Sequence, residues 1–267
     1  MTAKQVVLEV LSANPGTQRP VPVRILIRAA AIFGIAENSV RVALARLCAE
    51  ERLESPARGL YRLGAAARPL HERVVSWRSL EDLVGPWDGS FIGVHTAGLP
   101  RTSRAAVRAR ERAVTLWGFR TLVPGLEVRP ANLRAGVDGA RERLRQLGLE
   151  ATAPVARLTD LGPLEPQARG LWDGAELVRL YQQTTAALSS SMARLGVLPL
   201  QDAVRESFLL GREAIRVLVK DPLLPEPLVR VEERQRLAHT MRRYDREGHA
   251  LWRRFLLQAE EPERATA

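Results

Sequence analysis

The sequence predicts an α+β protein made of several domains. With 267 residues the chain is longer than one typical domain. Residues 1–64 combine helical patterns with a short hairpin pattern, residues 86–162 alternate strand and helix patterns, and residues 163–267 show helical patterns alone. These patterns predict an N-terminal domain of helices and a hairpin, a linker helix over residues 65–85, a mixed middle domain and an all-helical C-terminal domain.

The N-terminal domain is predicted to contain three helices, over residues 4–13, 23–33 and 37–51. Gly34 follows the second helix, where a residue in the left-handed conformation commonly ends a helix. In the third helix the apolar residues recur at i, i+3, i+4, i+7 and i+8, which predicts one buried face. These residues are Val40, Ala43, Leu44, Leu47 and Cys48.

A short hairpin is predicted directly after the third helix. Two strand-like runs, at residues 52–55 and 60–63, flank a Pro/Gly turn at residues 56–59. Arg58 then lies at the hairpin tip, and Arg62 lies on its outward side. A helix, a tight turn, a second helix and a hairpin make up a winged helix-turn-helix, which places one helix in a DNA groove.

The opposite face of the third predicted helix carries the candidate DNA contacts. Small residues at its centre allow close approach to a groove floor, and polar side chains surround them. The predicted base contacts are Asn38, Ser39 and Arg41, and the predicted phosphate or wing contacts are Arg46, Arg58 and Arg62. The same pattern also fits a solvated amphipathic helix, and that alternative stays open at this point.

The middle and C-terminal regions differ in their periodicity. The middle region gives a strand at 90–95, a helix at 102–117, two short strands around Pro124–Gly125, a helix at 136–147 and a strand at 154–161. This β-α-β-β-α-β order predicts a ferredoxin-like domain over residues 86–162. After a Pro/Gly-rich join, residues 171–195, 199–219 and 231–257 are predicted to be helical.

The positive charge of the chain is concentrated near its N-terminus. The net charge is +10, and residues 1–80 carry 12 Lys or Arg against 6 Asp or Glu. This excess favours double-stranded DNA as a partner. Only Lys4 and Lys220 are lysines, so a codon bias toward arginine is an alternative reason for the charge.

Composition argues against secreted, membrane and metal-binding classes. Cys48 is the one cysteine, no run of 18 apolar residues occurs, and no signal-peptide pattern begins the chain. We therefore expect a cytoplasmic protein without a membrane partner. The four histidines form no metal-ligand spacing, and no nucleotide-binding or nucleophile motif occurs, so we expect no metal, no cofactor and no enzyme activity.

Five segments resemble the PaaX-like family of repressors, which control phenylacetate catabolism. The similarity extends from about Pro22 to Leu257. The segments are Phe33-Gly34-Ile35 with Ser39 to Leu47, Trp87-Asp88-Gly89, Leu116 to Pro130 with its Gly-Phe, Pro-Gly and Arg-Pro pairs, Leu171-Trp172-Asp173, and Asp221-Pro222-Leu223-Leu224-Pro225.

The resemblance implies a winged helix-turn-helix, a middle domain similar to the CRISPR-associated Cas2 fold and a helical C-terminal domain. It also implies a homodimeric transcriptional repressor that an aryl-CoA thioester such as phenylacetyl-CoA releases from DNA. One segment departs from the family, because Val231 to Gln235 stands where many members have Trp-Pro-Gly. The residues that would bind an effector are therefore unknown.

Two other functions stay open. The first is an architectural DNA-binding dimer without a small-molecule effector. The second is a metal-dependent nuclease on the Cas2-like domain, for which a carboxylate is needed at the end of the first strand of that domain. Asp88 precedes this strand and Val94–His95 ends it, which disfavours the nuclease.

Overall fold

The structure is a computed structural model that describes residues 1–13, 19–67 and 76–257. It is a mixed fold of helices and two small antiparallel sheets, with a helical C-terminal region. The helices are α1 (Ala3–Ala13), α2 (Val23–Ala31), α3 (Glu37–Ala49), α4 (Arg104–Leu116), α5 (Gly136–Gln146), α6 (Glu165–Arg169), α7 (Gly174–Leu195), α8 (Leu200–Val219) and α9 (Val231–Leu257). The strands are β1 (Val21–Pro22), β2 (Leu53–Ala57), β3 (Leu60–Leu63), β4 (Phe91–His95), β5 (Arg120–Val123), β6 (Leu126–Pro130) and β7 (Val155–Leu158).

The chain forms two compact units. Unit 1 comprises residues 1–78, 188–215 and 241–267, and unit 2 comprises residues 79–187 and 216–240. Residues of the predicted helical domain, 163–267, therefore contribute to both units. The predicted domain boundaries at residues 64, 85 and 162 stay predictions.

Helices α1, α2 and α3 of unit 1 share one apolar core. Val6, Leu26, Val40 and Leu47 are each fully buried there. The turn between α2 and α3 contains Gly34 with φ of +69°, in the left-handed region that a residue without Cβ adopts at least cost. Helix α2 ends two residues earlier than predicted, and this turn begins at Ile32.

The sheet of unit 1 has three strands in the order β1-β3-β2. The predicted hairpin is present as β2 and β3, and Gly59 in its turn has φ of +74°. Strand β1 was not predicted, because two residues are too few to show a strand periodicity. It pairs with β3, and the Val23 amide donates to the Gly59 carbonyl at 2.8 Å, so the hairpin is tied to the start of α2.

Segments of α8 and α9 complete unit 1 through a row of aromatic contacts. Phe33 in the α2–α3 turn lies 5.1 Å from Phe208 of α8, measured between ring centroids. Phe208 contacts Trp252 of α9 edge-on at 6.0 Å. Arg212 of α8 also pairs with Glu9 of α1 at 2.6 Å. These contacts hold the N-terminal helices within the same unit as parts of the C-terminal helices.

The predicted linker helix over residues 65–85 falls partly outside the described residues, which omit 68–75. At its two ends the structure has 3-10 helices, Ala65–Ala67 and Ser76–Leu83, and the second has a kink at Ser79. Its described parts are therefore 3-10 turns where an α-helix was predicted. Trp77, one of the apolar residues of the described part, is 1% exposed.

Unit 2 contains a four-stranded antiparallel sheet with the order β5-β6-β4-β7. Helices α4 and α5 connect the strands in the predicted sequence β-α-β-β-α-β. Ile92, Val94 and Val155 of the sheet form a core with Ala113 of α4 and Leu144 of α5. Strand β7 is shorter than predicted, since residues 159–161 follow it without regular structure.

A buried arginine joins strand β6 to the loop that follows α8. Arg129 is 1% exposed, and its guanidinium donates to the Trp117 carbonyl at 2.6 Å and to the Pro222 carbonyl at 3.3 Å. Asn132 donates to the Leu223 carbonyl at 2.7 Å. Burial lowers the pKa of Arg129, and the nearby Asp221 carboxylate opposes that shift. The loop is therefore fixed by buried hydrogen bonds as well as by apolar contacts.

Asp221 in the same loop is fully buried and faces Arg234 of α9. The Arg234 Nη1 lies 3.7 Å from the Asp221 Oδ1 and donates to the Leu224 carbonyl at 2.9 Å. The Leu223 amide donates to the Asp221 Oδ1 at 2.7 Å, and the buried Tyr181 hydroxyl and the Arg234 guanidinium adjoin this carboxylate. Burial raises the pKa of Asp221.

Within residues 1–13, 19–67 and 76–257, no helix combines the length and the apolar character that crossing a membrane requires.

Candidate functional site

Helix α3 has one buried face and one exposed face. Its buried residues are Val40, Ala43, Leu44 and Leu47, which are at most 4% exposed. The opposite side is open to solvent and carries Asn38, Ser39, Arg41, Val42, Ala45, Arg46 and Ala49. The predicted base contacts and Arg46 therefore lie together on the exposed side of one helix, as its 3.6-residue period requires.

The side chains at the centre of the exposed face of α3 are small. Ala45 and Ala49 present only methyl groups, and Val42 is 43% exposed although it is apolar. The methyl groups of Val42 can contact the thymine methyl group in a major groove. Val42 is not among the predicted base contacts.

Arg41 is held by Glu37, one turn earlier on the same face. The Arg41 Nε and Nη2 donate to the Glu37 Oε1 at 2.8 and 2.6 Å. Both side chains are more than half exposed, so the pair stabilises the helix by only a few tenths of a kcal/mol. Arg41 can leave this pair at low cost, but the Glu37 carboxylate would repel phosphate nearby. The i,i+4 spacing of the two residues indicates this pair, and the site prediction omitted Glu37.

Helix α3 begins without a side-chain cap, because its N-cap residue is Ala36. No side chain bonds the first amides of α3 among the described residues, and Ala36 contributes only its backbone carbonyl, which accepts from the Ser39 and Val40 amides. The N-terminal end of α3 therefore presents amide N–H groups and a positive dipole end to solvent. Asn38 and Ser39 lie in this first turn, exposed, without side-chain hydrogen bonds in the described parts of the chain.

Arg46 and Arg58 make no hydrogen bond or ion pair with the described residues, although Arg46 lies near the Glu50 carboxylate, whose pKa is lowered first by Lys4 and, more weakly, by the charge of Arg46. Arg46 lies in the last turn of α3, and Arg58 lies at the hairpin tip beside Gly59. Both are exposed. Their guanidinium groups are available for phosphate, which such groups bind through two parallel hydrogen bonds.

Arg62 differs from the other predicted contacts. It stands opposite Glu54 in the β2–β3 register, and its Nε donates to the Glu54 Oε2 at 2.8 Å. Its side chain is only 31% exposed. Arg62 is thus partly buried against Glu54, and its charge is largely balanced across the hairpin. Arg62 contributes less positive charge to the site than its sequence position suggested.

Asp88 is the carboxylate near the predicted first strand of the middle domain. In the structure it accepts hydrogen bonds from neighbouring side chains and backbone. Its Oδ1 accepts from the Ser90 amide at 3.1 Å and from the Ser90 hydroxyl at 2.6 Å, and its Oδ2 accepts from Arg157. These hydrogen bonds from Ser90, followed by the charge of Arg157, lower the pKa of Asp88. The described residues contain no group of three or more His, Cys, Asp or Glu side chains that could hold a metal ion.

The aromatic residues that could stack on a ligand are packed within the units. Trp172 is 8% exposed and donates to the Gly118 carbonyl at 3.1 Å, and Tyr181 is 1% exposed. Trp87 packs edge-on against Phe91. Trp117 lies partly buried against the core of unit 2, and Trp252 belongs to the aromatic row of unit 1. No effector-binding residue is assigned from them.

Comparison with known proteins supports the fold. No family model matches the chain, and no curated protein matches it. Among solved structures, the chain is similar to the uncharacterized protein Rv0674 from Mycobacterium tuberculosis, with a TM-score of 0.65 and 21% sequence identity. The similarity covers 96% of this chain and 99% of that chain. At this identity it shows a shared fold over nearly the whole length.

Proposed function

We propose that the protein is a DNA-binding transcriptional regulator of the repressor type, and that α3 is its recognition helix. The observation that carries this proposal is the exposed face of α3, on which Asn38, Ser39, Arg41 and Arg46 surround small side chains. A face of this kind matches the width and chemistry of the major groove. Arg46 and Arg58 are exposed and make no hydrogen bond or ion pair with the described residues, as contacts to phosphate require.

The finer fold assignment supports this proposal. Three helices with a left-handed glycine between the second and third, followed by an antiparallel hairpin, have the layout of a winged helix-turn-helix. The order β5-β6-β4-β7, with α4 and α5 as connections, is the topology of a ferredoxin-like domain. We therefore propose that the first sheet belongs to a winged helix-turn-helix and the second to a ferredoxin-like domain, whose likeness to Cas2 rests on the resemblance to PaaX-like repressors.

Each candidate residue has a distinct task in this proposal. Asn38 and Ser39, at the start of α3, contact base edges or the phosphate at the groove margin. Arg41 leaves Glu37 and donates two hydrogen bonds to a guanine, which is worth about 1 to 3 kcal/mol of discrimination. Arg46 at the end of α3 and Arg58 at the hairpin tip contact phosphates, and Arg62 supports the hairpin through Glu54.

We further propose a homodimer whose DNA affinity is controlled by an aryl-CoA thioester, of which phenylacetyl-CoA is the first to test. This part rests on the resemblance to PaaX-like repressors. Two recognition helices of a dimer read successive major grooves about 34 Å apart. A ligand releases DNA only if it binds more tightly to a dimer geometry that does not match this spacing.

A retardation assay tests the proposal. The full-length protein is incubated with labelled genomic promoter fragments and Mg²⁺, with and without phenylacetyl-CoA and other acyl-CoA thioesters. Retarded, intact DNA that a thioester releases supports the complete proposal. Retardation that no thioester reverses leaves an architectural or effector-independent protein, cleavage indicates a nuclease, and an absence of retardation contradicts DNA binding.

A further inference from the structure

Helix α4 of unit 2 carries a row of arginines that the fold does not use. Arg104, Arg108 and Arg112 are exposed and lie four residues apart, so successive members are turned by about 40° and displaced by about 6 Å along the helix axis. Arg101, just before the helix, is exposed as well. None of these four side chains has a hydrogen bond or ion pair with the described part of the chain. We call Arg101, Arg104, Arg108 and Arg112 the α4 arginine row.

Several other arginines at the surface of unit 2 pair with carboxylates: Arg141 with Asp138, Arg157 with Asp88, Arg169 with Glu165, and Arg179 with Glu176. Four further exposed arginines of the unit make no ion pair with the described residues, but they lie on different elements and form no row on one helix face; they are Arg120, Arg134, Arg145 and Arg230. On α4, the position four residues after an arginine, where a carboxylate could form an ion pair, holds another arginine. Arg108 follows Arg104 in this way, and Arg112 follows Arg108. Glu111 is the acidic residue of the helix, and it makes no ion pair within the described residues. The α4 arginine row therefore keeps its full positive charge.

This arrangement is unfavourable for the helix itself. Like charges four residues apart repel one another, and they occur twice in succession. Arg104 also lies in the first turn, which contains no acidic residue, so its charge meets the positive end of the helix dipole. Ser103 caps the helix by accepting from the Ala106 amide at 3.3 Å, and this cap does not involve the arginines. The α4 arginine row thus brings repulsion without a compensating contact in the chain.

The chemistry of the surface points to the phosphate backbone of duplex DNA. All four cations are arginines, whose planar fork matches phosphate oxygens. The face bearing Arg104, Arg108 and Arg112 also carries Glu111 and Thr115, and it offers no aromatic platform of the kind that stacks on single-stranded bases. At its C-terminal end the face also carries Leu116, which is 41% exposed, but a single aliphatic side chain does not make the apolar cluster on which protein partners and membrane surfaces depend.

We propose that the α4 arginine row is a second DNA-contacting surface, which binds phosphates of duplex DNA without regard to sequence. The choice of DNA rests on the proposed function. The role differs from that of α3, because the row contributes affinity and salt dependence but no discrimination between sequences. Arg104 to Arg112 extend over about 12 Å, enough for each guanidinium to contact a separate phosphate.

The test measures binding of the full-length protein to a mixed-sequence duplex at several salt concentrations. Four proteins are compared: the unaltered chain, R104Q/R108Q/R112Q, the control R157Q/R169Q/R179Q, and the α3 and hairpin variant R46A/R58A. The control removes the same three charges from carboxylate-paired positions of the same unit. We expect R104Q/R108Q/R112Q to reduce the slope of log K against log salt by about 2 to 3, and the control by less than 1.

Two further measurements complete the test. R104K/R108K/R112K keeps the charges and should restore most of the slope, while thermal unfolding should show that the glutamine variant is at least as stable as the unaltered protein. A slope for R104Q/R108Q/R112Q equal to that of the control overturns the inference, as does stronger competition by single-stranded than by duplex DNA. If R46A/R58A leaves the salt slope unchanged while R104Q/R108Q/R112Q reduces it, the proposed function fails and the α4 arginine row stands. If none of the four proteins binds DNA, both proposals fail.

Discussion

Arginines have opposite surroundings on the surface of α3 and the hairpin in unit 1 and in the buried loop contact of unit 2. Arg46 and Arg58 lie in solvent and bond nothing within the described residues. Arg129 is 1% exposed and donates to the backbone carbonyls of residues that are distant in sequence. The same side chain is available for binding where it is exposed and stabilises the fold where it is enclosed, and the count of basic residues alone does not separate the two cases.

The buried arginine offers the largest test of this contrast. Replacing Arg129 by Met should lower the free energy of unfolding by about 3 to 5 kcal/mol, because the Trp117 and Pro222 carbonyls and the Asp221 carboxylate lose their buried partner. Urea or guanidinium unfolding measures the change. The matched control R108M, at an exposed arginine, should stay within about 0.5 kcal/mol of the unaltered protein. Equal values for the two variants would contradict the structural role of Arg129.

The proposed recognition helix, α3, gives the next largest expected effect. R41A should lose about 1 to 3 kcal/mol of preference for the best DNA sequence over a variant with one guanine replaced. Its binding to mixed-sequence DNA should change much less. Footprints and competition assays on a selected fragment measure the preference. Unchanged sequence preference in R41A would show that α3 does not read bases through this residue.

The buried carboxylate predicts a pH dependence of stability. Burial holds the pKa of Asp221 above its unfolded value, so the folded state binds this proton more tightly and the contribution of Asp221 is fully present at low pH. That contribution is lost as the pH rises through the folded pKa. The charges of Arg234 and Arg129 lower the pKa of Asp221 and so oppose the effect of burial, which limits the loss of stability. D221N keeps the oxygen that accepts from the Leu223 amide but does not titrate.

Unfolding of the two proteins at a series of pH values tests this sign. The stability of the unaltered protein relative to D221N should fall as the pH rises above about 4, by at most about 1.4 kcal/mol per pH unit. A difference that stays constant, or that grows with pH, would show that the carboxylate is ionised in the fold without penalty.

The smallest effect concerns the acidic residue on the recognition face. E37Q removes the ion pair with Arg41 and the repulsion between a carboxylate and phosphate, so mixed-sequence DNA should bind a few times more tightly. The helix should lose only about 0.3 to 0.5 kcal/mol of stability. Fluorescence anisotropy at low salt measures the affinity. Weaker binding would mean that Glu37 is needed to orient Arg41 or to contact a base.

The sequence predicted what depends on local periodicity. The buried and exposed faces of α3 follow from a rotation of 100° per residue, and the left-handed Gly34 follows from its place after an apolar helix. The order of strands and helices in unit 2 was predictable for the same reason. The i,i+4 spacing of Glu37 and Arg41 also indicates their ion pair. Glu37 was nevertheless not among the predicted site residues, because only residues that could contact DNA were considered.

Long-range contacts were not predictable from the sequence. Arg129 stands in a strand beside apolar residues, and the Pro222 carbonyl that it bonds lies 93 residues further on. The aromatic row from Phe33 to Trp252 joins residues that are even further apart, and it places the N-terminal helices in one unit with parts of α8 and α9. No local pattern signals such partners, because each side chain looks like an ordinary core or surface position.

The central claim is that the exposed cations of α3 and of the hairpin neutralise DNA phosphates. The most direct measurement is the slope of log K against log salt for a selected promoter fragment, compared between the unaltered protein and R46A/R58A. We expect the slope to become shallower by about 2, with little change for the control R157A/R169A, whose arginines are paired with carboxylates. An unchanged slope in R46A/R58A, or an equal change in the control, would contradict the assignment of this surface as the DNA interface.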